Sequence, residues 1–391
     1  MKITDQLRSI TSIVKREAEI IRRDSDIFMI ILVAPLFYAF FYGAVYLEKG
    51  ENDVPIAVVD CDRSPLSREL ARRIDAHQLV KVVEETGDMG RAERFLEEGS
   101  VEGTVVIPEG FEKDVVRGQG SDVTLELNTA RFLVSNDMNK GITEAALSLG
   151  SEVGKNRPRP GGSLRVEVRP MFNTTETYGD FLIPAILVVI LQQTFWIGLS
   201  ESVARERSEG SLKGLVTGLA RGKLVPAVAG KLGFYLLVFA AYAFFLYTVH
   251  YSLFSIPFRG SPFLFAGLLM LFLLAVGGVG FFIASFFPRK LLALQVLGFT
   301  SYPIFLMAGY SWPTIAIPGI LRGLSMAFPM TPFLAASTRV LQMGGGFGDV
   351  VPEALHLAVL AGFGWGLSVW RLKSLARDDG APAPLVCTEI Y

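Results

Sequence analysis

The hydrophobic blocks of this chain are spaced unevenly, and the gap between the first and the second constrains the fold most. One apolar span, Ile27–Leu47, lies near the N-terminus, and the next opens only at Phe181. Further apolar spans then follow closely up to Trp370. A helix needs roughly 20 apolar residues to cross a hydrocarbon core of about 30 Å, and each block is long enough. The spacing predicts six transmembrane helices, at 27–47, 181–202, 227–250, 263–287, 291–311 and 353–370, with a soluble domain between the first two. Composition fits: 51% of residues are hydrophobic, 19% are charged and mean hydropathy is +0.41.

Charge sets the orientation. Basic residues cluster at Lys2, Arg8, Lys15, Arg16, Arg22 and Arg23, and at Arg205, Arg207, Lys213, Arg221 and Lys223. Two further clusters are Arg289 with Lys290, and Arg371, Lys373 and Arg377. The alternating spans bring all four to one side, which the positive-inside rule makes cytoplasmic. The opposite loop Ser255–Pro262 has only Arg259. Both termini are then inside and the large domain outside. The first span is too long for a signal-peptide core and no A-x-A site follows it, so no cleavable leader is expected. A formal net charge of −1 gives no reason to expect a nucleic-acid partner.

Five regions follow. Residues 1–25 read as an amphipathic cytoplasmic interface helix, with Ile3, Leu7, Ile10, Val14 and Ile21 on one face and Lys15, Arg16, Glu19, Arg22 and Arg23 mostly on others. The alternative is a plain charged lead-in. Residues 26–47 are the first span and 48–179 an extracytoplasmic α/β domain. Residues 180–376 hold five spans, a cytoplasmic segment at 203–225 and an outer segment at 312–351; 377–391 form a cytoplasmic tail. In 312–351, Pro318, Pro329, Pro332 and Gly344–Gly346 break two apolar stretches too short to cross. They read either as re-entrant helices, which need protein or a watery cavity around them, or as an interfacial loop.

The outer domain alternates strand and helix signals. Pro55–Asp60, Leu79–Glu84, Val101–Pro108, Val123–Asn128 and Leu164–Pro170 read as strands. Leu66–Ala76, Met89–Glu98, Phe111–Arg117 and Phe132–Val153 read as helices, the first opened by Ser64-Pro65 as cap and first residue. No catalytic set stands out. Asp60 reads as a loop cap rather than a metal ligand, and no Gly-rich phosphate loop follows the first strand. His77, His250 and His356 are scattered, as are Cys61 and Cys387, so neither a metal site nor a disulfide is expected.

Two polar features stand out in the membrane half. Gln192 and Gln193 fall near the middle of the second span and either line a path or bond neighbouring helices. Glu201, Arg205, Glu206, Arg207 and Glu209 form a mixed-charge cluster at its end, followed by Gly210 and a short helix Ser211–Leu219. The cluster reads either as a docking knob for another protein or as a solvated helix end. Lys231 lies about a turn from the end of the third span, where it can snorkel to the surface. No Walker A loop is present; Gly218–Leu224 has the wrong spacing.

Several stretches, in this order, resemble the membrane subunit of ABC-2 type exporters, in the subfamily with a large extracytoplasmic domain after the first span. Charged residues run into the first span over Ile20–Pro35. Val54–Ser67 (VPIAVVDCDRSPLS) resembles the family's V-D-x-D-x-S-x-L-S opening, and Gly99–Phe111 (GSVEGTVVIPEGF) its later I-P-x-x-F stretch. Ser202–Leu215 (SVARERSEGSLKGL) resembles the E-R-E-x-G-T-x-E-x-L segment, and Gly309–Pro332 the aromatic, Pro-rich turn before the last span. Here Gly210-Ser211-Leu212-Lys213 replaces Gly-Thr-Leu-Glu, which reverses a charge, and the tail beyond Arg377 is longer than the pattern needs.

The resemblance implies a permease subunit of an ATP-driven exporter, not itself an enzyme. Glu201, Arg205, Glu206, Arg207, Glu209, Gly210 and Ser211 would couple it to separate ATPase subunits that hold ATP and Mg. It also implies a second permease, identical or paralogous, and in two-membrane bacteria a periplasmic adaptor. The expected setting is the bacterial inner membrane, with an amphipathic or lipid-like cargo. A membrane receptor or scaffold whose outer domain binds a ligand or adaptor is the alternative; it would need a cytoplasmic output domain. A membrane-embedded enzyme would need clustered His, Asp or Cys near the spans.

Overall fold

Helix α1 (Ile3–Arg23) opens the fold, and its packed face differs from the expected one. Ser9, Ile13, Glu17 and Ile21 form the buried row, while Leu7 is 57% exposed. The computed structural model describes residues 3–46, 52–119, 121–127, 132–155, 178–211, 214–220 and 222–378. The chain divides into two compact units, one of residues 1–47 and 170–391 and one of residues 48–169.

In the first unit, α2 (Ser25–Val45) follows α1 directly. Asp24 caps it, accepting from the Asp26 and Ile27 amides at 3.2 and 3.3 Å. Ile27, Ile31, Pro35, Ala39 and Gly43 form one buried row at four-residue spacing. Ahead of Pro35, which lacks an N–H, the helix widens to a π turn over Met29–Val33. The Tyr242 hydroxyl donates to the Leu32 carbonyl there, at 2.7 Å.

The second unit is an α/β domain. Its strands are β1 (Val54–Asp60), β2 (Val80–Thr86), β3 (Gly103–Ile107) and β4 (Thr124–Leu127), and its helices α3 (Pro65–Asp75), α4 (Met89–Glu97), α5 (Phe111–Arg117) and α6 (Phe132–Lys155). The sheet order is β2-β1-β3-β4, with β1 parallel to both neighbours and β4 antiparallel to β3. The central strand serves two cores, as a strand covered on both faces must. Ile56 and Val58 pack with Leu70, Ile74, Phe111 and Ile142, whereas Ala57 and Val59 pack with Ala92 and Val101. Ser64 Oγ accepts from the Ser67 amide at 3.1 Å, so the expected cap and Pro65 open α3. The carboxylates of Asp60-Cys61-Asp62 close turns: Asp60 takes the Asp62 and Arg63 amides, and Asp62 takes the Gly110 and Glu112 amides. Among the described residues no cluster suits a metal ion. The expected strand at 164–170 lies outside the described residues.

Returning to the first unit, α7 (Tyr178–Ser208) is the central helix, buried on nearly all sides. Around it stand α8 (Leu224–Leu253), α9 (Pro262–Ala284), α10 (Lys290–Met307) and α13 (Val351–Asp378), with the short α11 (Gly319–Ser325) and α12 (Met330–Leu341) before the last. With α2, six helices among the described residues are long and apolar enough to cross a membrane. α7 runs six residues past its expected end at 202. At 1.5 Å per residue it is about 46 Å long, well over the core thickness.

Glycines set the closest helix contacts. A Cβ on Gly278 would lie 2.8 Å from the Trp365 amide nitrogen, and one on Gly364 2.6 Å from that of Val279, so α9 and α13 meet backbone to backbone. Ser368 Oγ and Trp365 Nε1 donate to the Gly278 and Leu274 carbonyls across this seam.

The segment 312–351 folds back on α7. The Met330 amide, at the start of α12, donates to Gln192 Oε1 at 3.0 Å, beside the middle of α7. At the other end, Gln342 Nε2 donates to the Asp180 carbonyl in the first turn of α7. α12 therefore lies along half of α7, and its 12 residues span about 18 Å.

Candidate functional site

Helix ends gather at the foot of α7, and charged side chains tie them together. Lys231 of α8 is fully buried. Its ammonium lies 2.9 Å from Glu17 Oε1 of α1, 2.9 Å from Ser202 Oγ and 2.7 Å from Glu206 Oε2 of α7. Arg16 pairs with the other oxygen of Glu206. Two cations and two carboxylates thus neutralise each other inside the protein, which buried charge requires. Burial pushes the Glu17 carboxyl above its usual range, with Glu206 adding to it and Lys231 pulling against. Gly230 admits α1: a Cβ there would sit 2.7 Å from that of Ile13.

A second clamp lies nearby and is more open. Asp24 Oδ2 accepts from Arg205 Nη1 of α7 at 3.1 Å and from Lys290, the first residue of α10. Burial alone would raise the Asp24 carboxyl. Lys290, the Ile27 amide and Arg205 outweigh it and hold the group below the usual carboxylate range. Arg205 also pairs with Glu209 at 2.7 Å. Arg207 donates to the Ser285 and Phe287 carbonyls at the end of α9. The foot of α7 is thus bonded directly to α1, to α8, to the Asp24 cap of α2 and to the turn after α9, and through Asp24 to α10.

Gly210 ends the helix. Its φ of +65° is left-handed, the Ser211 amide donates to the Glu206 carbonyl, and the Gly210 amide donates to that of Arg207. This is a Schellman stop, which favours glycine. Ser211 Oγ accepts from Arg16 Nη2 at 3.5 Å.

The expected exposed cluster divides in two. Glu201 and Glu206 are buried, Arg205 and Arg207 are half-buried, and Ser208, Glu209 and Gly210 are exposed. The turn Leu215–Leu219 is a π turn rather than a surface helix, and Leu215 and Val216 are buried. Lys231 does not snorkel, because two carboxylates meet it inside. Of the interface-helix residues, Lys15, Glu19, Arg22 and Arg23 are exposed, while Arg16 turns in to Glu206. Glu17, Asp24, Ser202, Lys231 and Lys290 were not assigned to a site from sequence. The available signal was a Glu on the packed arc of α1 and a Lys inside an apolar helix.

Gln192 and Gln193 are buried in α7. Gln192 latches α12, but its Nε2 and both amide atoms of Gln193 have no hydrogen-bond partner among the described residues.

Six membrane-length helices among the described residues, around a charged, interlocked foot, define a multi-pass membrane protein. The family model for the ABC-2 family transporter protein matches residues 25–370, and the chain belongs to that family. It is similar to the inner membrane transport permease YhhJ of Escherichia coli K12, 24% identical over 88% of this chain and 92% of that protein. It is also similar to the probable multidrug ABC transporter permease YbhS of the same organism, 24% identical over 95% of this chain and 98% of that protein. The linearmycin resistance permease protein LnrN of Bacillus subtilis 168 is 23% identical over 88% of this chain and 94% of its own length. The chain is a multi-pass inner-membrane permease, and its family implies a bilayer around it and ABC ATPase subunits as partners.

Proposed function

We propose that this chain forms the translocation path of an ATP-driven exporter, as a dimer with an identical or paralogous permease, and takes its drive from separate ATPase subunits that hold ATP and Mg. One observation carries the reading: the foot of α7 is bonded to so many helix ends, while Ser208, Glu209 and Gly210 remain exposed beside it. A push on that exposed tip reaches the bundle through side chains that are already engaged. The basic helix ends support a cytoplasmic position for this foot. Residues 312–351 enter and leave from the outer side, and the insert 48–169 stands outside, where it meets a periplasmic adaptor. The names of YbhS, a probable multidrug permease, and LnrN, a linearmycin resistance permease, support a drug-like cargo.

The test is co-expression with an ABC ATPase from the same genome, followed by co-purification and ATP-dependent uptake of an amphipathic dye into inverted vesicles. Glu209→Lys breaks one exposed pair with Arg205, a loss of about 0–1 kcal/mol in stability. It should nevertheless abolish ATP-dependent transport while the permease still inserts. Unchanged assembly and unchanged transport would refute coupling at this tip.

A further inference from the structure

The second clamp holds more acceptors than donors. Asp24 takes both Arg205 and Lys290, Glu209 takes Arg205 as well, and Glu201 lies near Lys290, so three carboxylates share two cations. Asp24 and Glu209 hold them in this structure. Glu201 does not: it is 3% exposed, yet its Oε2 has no hydrogen-bond partner among the described residues. It lies within electrostatic reach of Lys290, Asp24 and Asp26. It also sits one turn above Arg205 on α7, the i, i+4 spacing at which Glu and Arg pair on a helix.

A buried carboxylate oxygen left unsatisfied is destabilising. A static structure would do better with Gln or Leu at this position. Asp24, in contrast, divides its labour. Oδ1 caps α2 through the Asp26 and Ile27 amides, and Oδ2 alone takes the two cations. Releasing the cations leaves the cap intact.

We propose that Glu201 is the second acceptor of an ion-pair exchange: when α10 and the start of α2 shift against the foot of α7, Lys290 and Arg205 pass from Asp24 to Glu201. The neighbouring clamp at Lys231, fully buried and fully paired, holds α7 to α1 and α8 throughout. Displacement is therefore confined to the side facing α2 and α10. A slide of one helical turn, about 5 Å, exchanges such partners. Glu201 is a positioning residue in this scheme. The proposal rests on the reading of the chain as an ATPase-driven permease.

The experiment places spin labels at Ser25→Cys and Leu291→Cys, with Cys61→Ser and Cys387→Ser, and reads their separation in lipid nanodiscs. With the ATPase bound, trapping with ATP, Mg and vanadate should shift the distance, by up to about 5 Å for a slide of one helical turn. Glu201→Gln should keep the ATPase bound and lose the shift, whereas Glu201→Asp should retain part of it. Asp24→Asn keeps the cap oxygen and removes the charge. It should show the shifted distance with no ATPase or nucleotide present. A full shift in Glu201→Gln, or a resting distance in Asp24→Asn, would overturn the exchange. If the unaltered chain never binds the ATPase, the drive itself is refuted, and the Asp24→Asn arm still decides whether the exchange exists.

Discussion

Lys231 and Glu17 stand 214 positions apart in sequence, and their side chains meet at 2.9 Å with neither exposed to solvent. The pair fastens the N-terminal helix to the third span. Removing one member of a buried ion pair leaves a charge with no partner, at a cost of about 3–5 kcal/mol. Lys231→Met should therefore lower thermal stability sharply in nanodiscs. Adding Glu17→Gln and Glu206→Gln should recover most of the loss, because the triple variant buries no uncompensated charge there except Arg16, which is part-exposed. A triple variant as unstable as Lys231→Met would refute the electrostatic account.

The α9–α13 seam has no room for a methyl group. Gly364→Ala puts a Cβ against the Val279 backbone, which cannot retreat without parting the helices. Overpacking of this kind costs about 1–3 kcal/mol. Gly366→Ala is the control two residues on, since nothing lies within 4 Å of its added Cβ. Melting curves of the two should differ, and equal curves would sink the packing argument.

The adjacent glutamines should respond oppositely. Gln192→Leu strips the Met330 amide of its acceptor and should cost about 1–3 kcal/mol. Gln193→Leu removes an amide whose two polar atoms have no partner, and should leave stability level or raised. A transport defect in the stable Gln193→Leu variant would mark the residue as path-lining. Normal transport would leave it a helix-packing residue.

The Asp24 clamp should fade only in acid. Its folded carboxyl titrates below the unfolded value of about 3.9. Its contribution is therefore complete above about pH 4 and is lost as pH falls through the lower folded value. The stability gap between the unaltered protein and Asp24→Asn should stay constant from pH 7 to pH 5 and shrink below pH 4. A gap that shrinks already near pH 6 would contradict the assignment.

The insert should stand alone. Both faces of its sheet are covered by its own helices, so residues 48–169 expressed separately should be soluble, with mixed α/β circular dichroism. Replacing them by a short linker should abolish export and spare ATPase binding. An unfolded fragment would show that the domain depends on the rest of the chain.

Local signals were legible in the sequence where one element decides them. Ser64-Pro65 announces α3 because cap and fixed φ act within one turn, and the uneven apolar blocks announce six long helices. Hydropathy ended the second span at 202, but the helix continues to Ser208, because its last charges find partners on other helices. The same blindness made Lys231 look like a snorkelling residue. Its partners lie on α1 and α7, and no window of sequence around it contains them. In α1 the apolar positions span a wide arc. Which row packs is set by Gly230 and Lys231 across the interface, so Leu7 is exposed and Glu17 buried. The antiparallel direction of β4 likewise depends on pairing with β3, beyond any local pattern.

The half-length α12 also constrains how the protein is made. A 12-residue helix cannot partition into the bilayer by itself, and its first amide is satisfied only by a side chain of α7. Its walls include α9 and α13, and Arg339 near its end is held by Glu353 of α13. The ribosome delivers α13 after α12. Biogenesis must therefore hold this segment at the interface until the last span has inserted, and a nascent chain stalled before residue 351 has no finished seat for it. Truncations and late frameshifts should meet membrane quality control at this step, well after five spans are already in place.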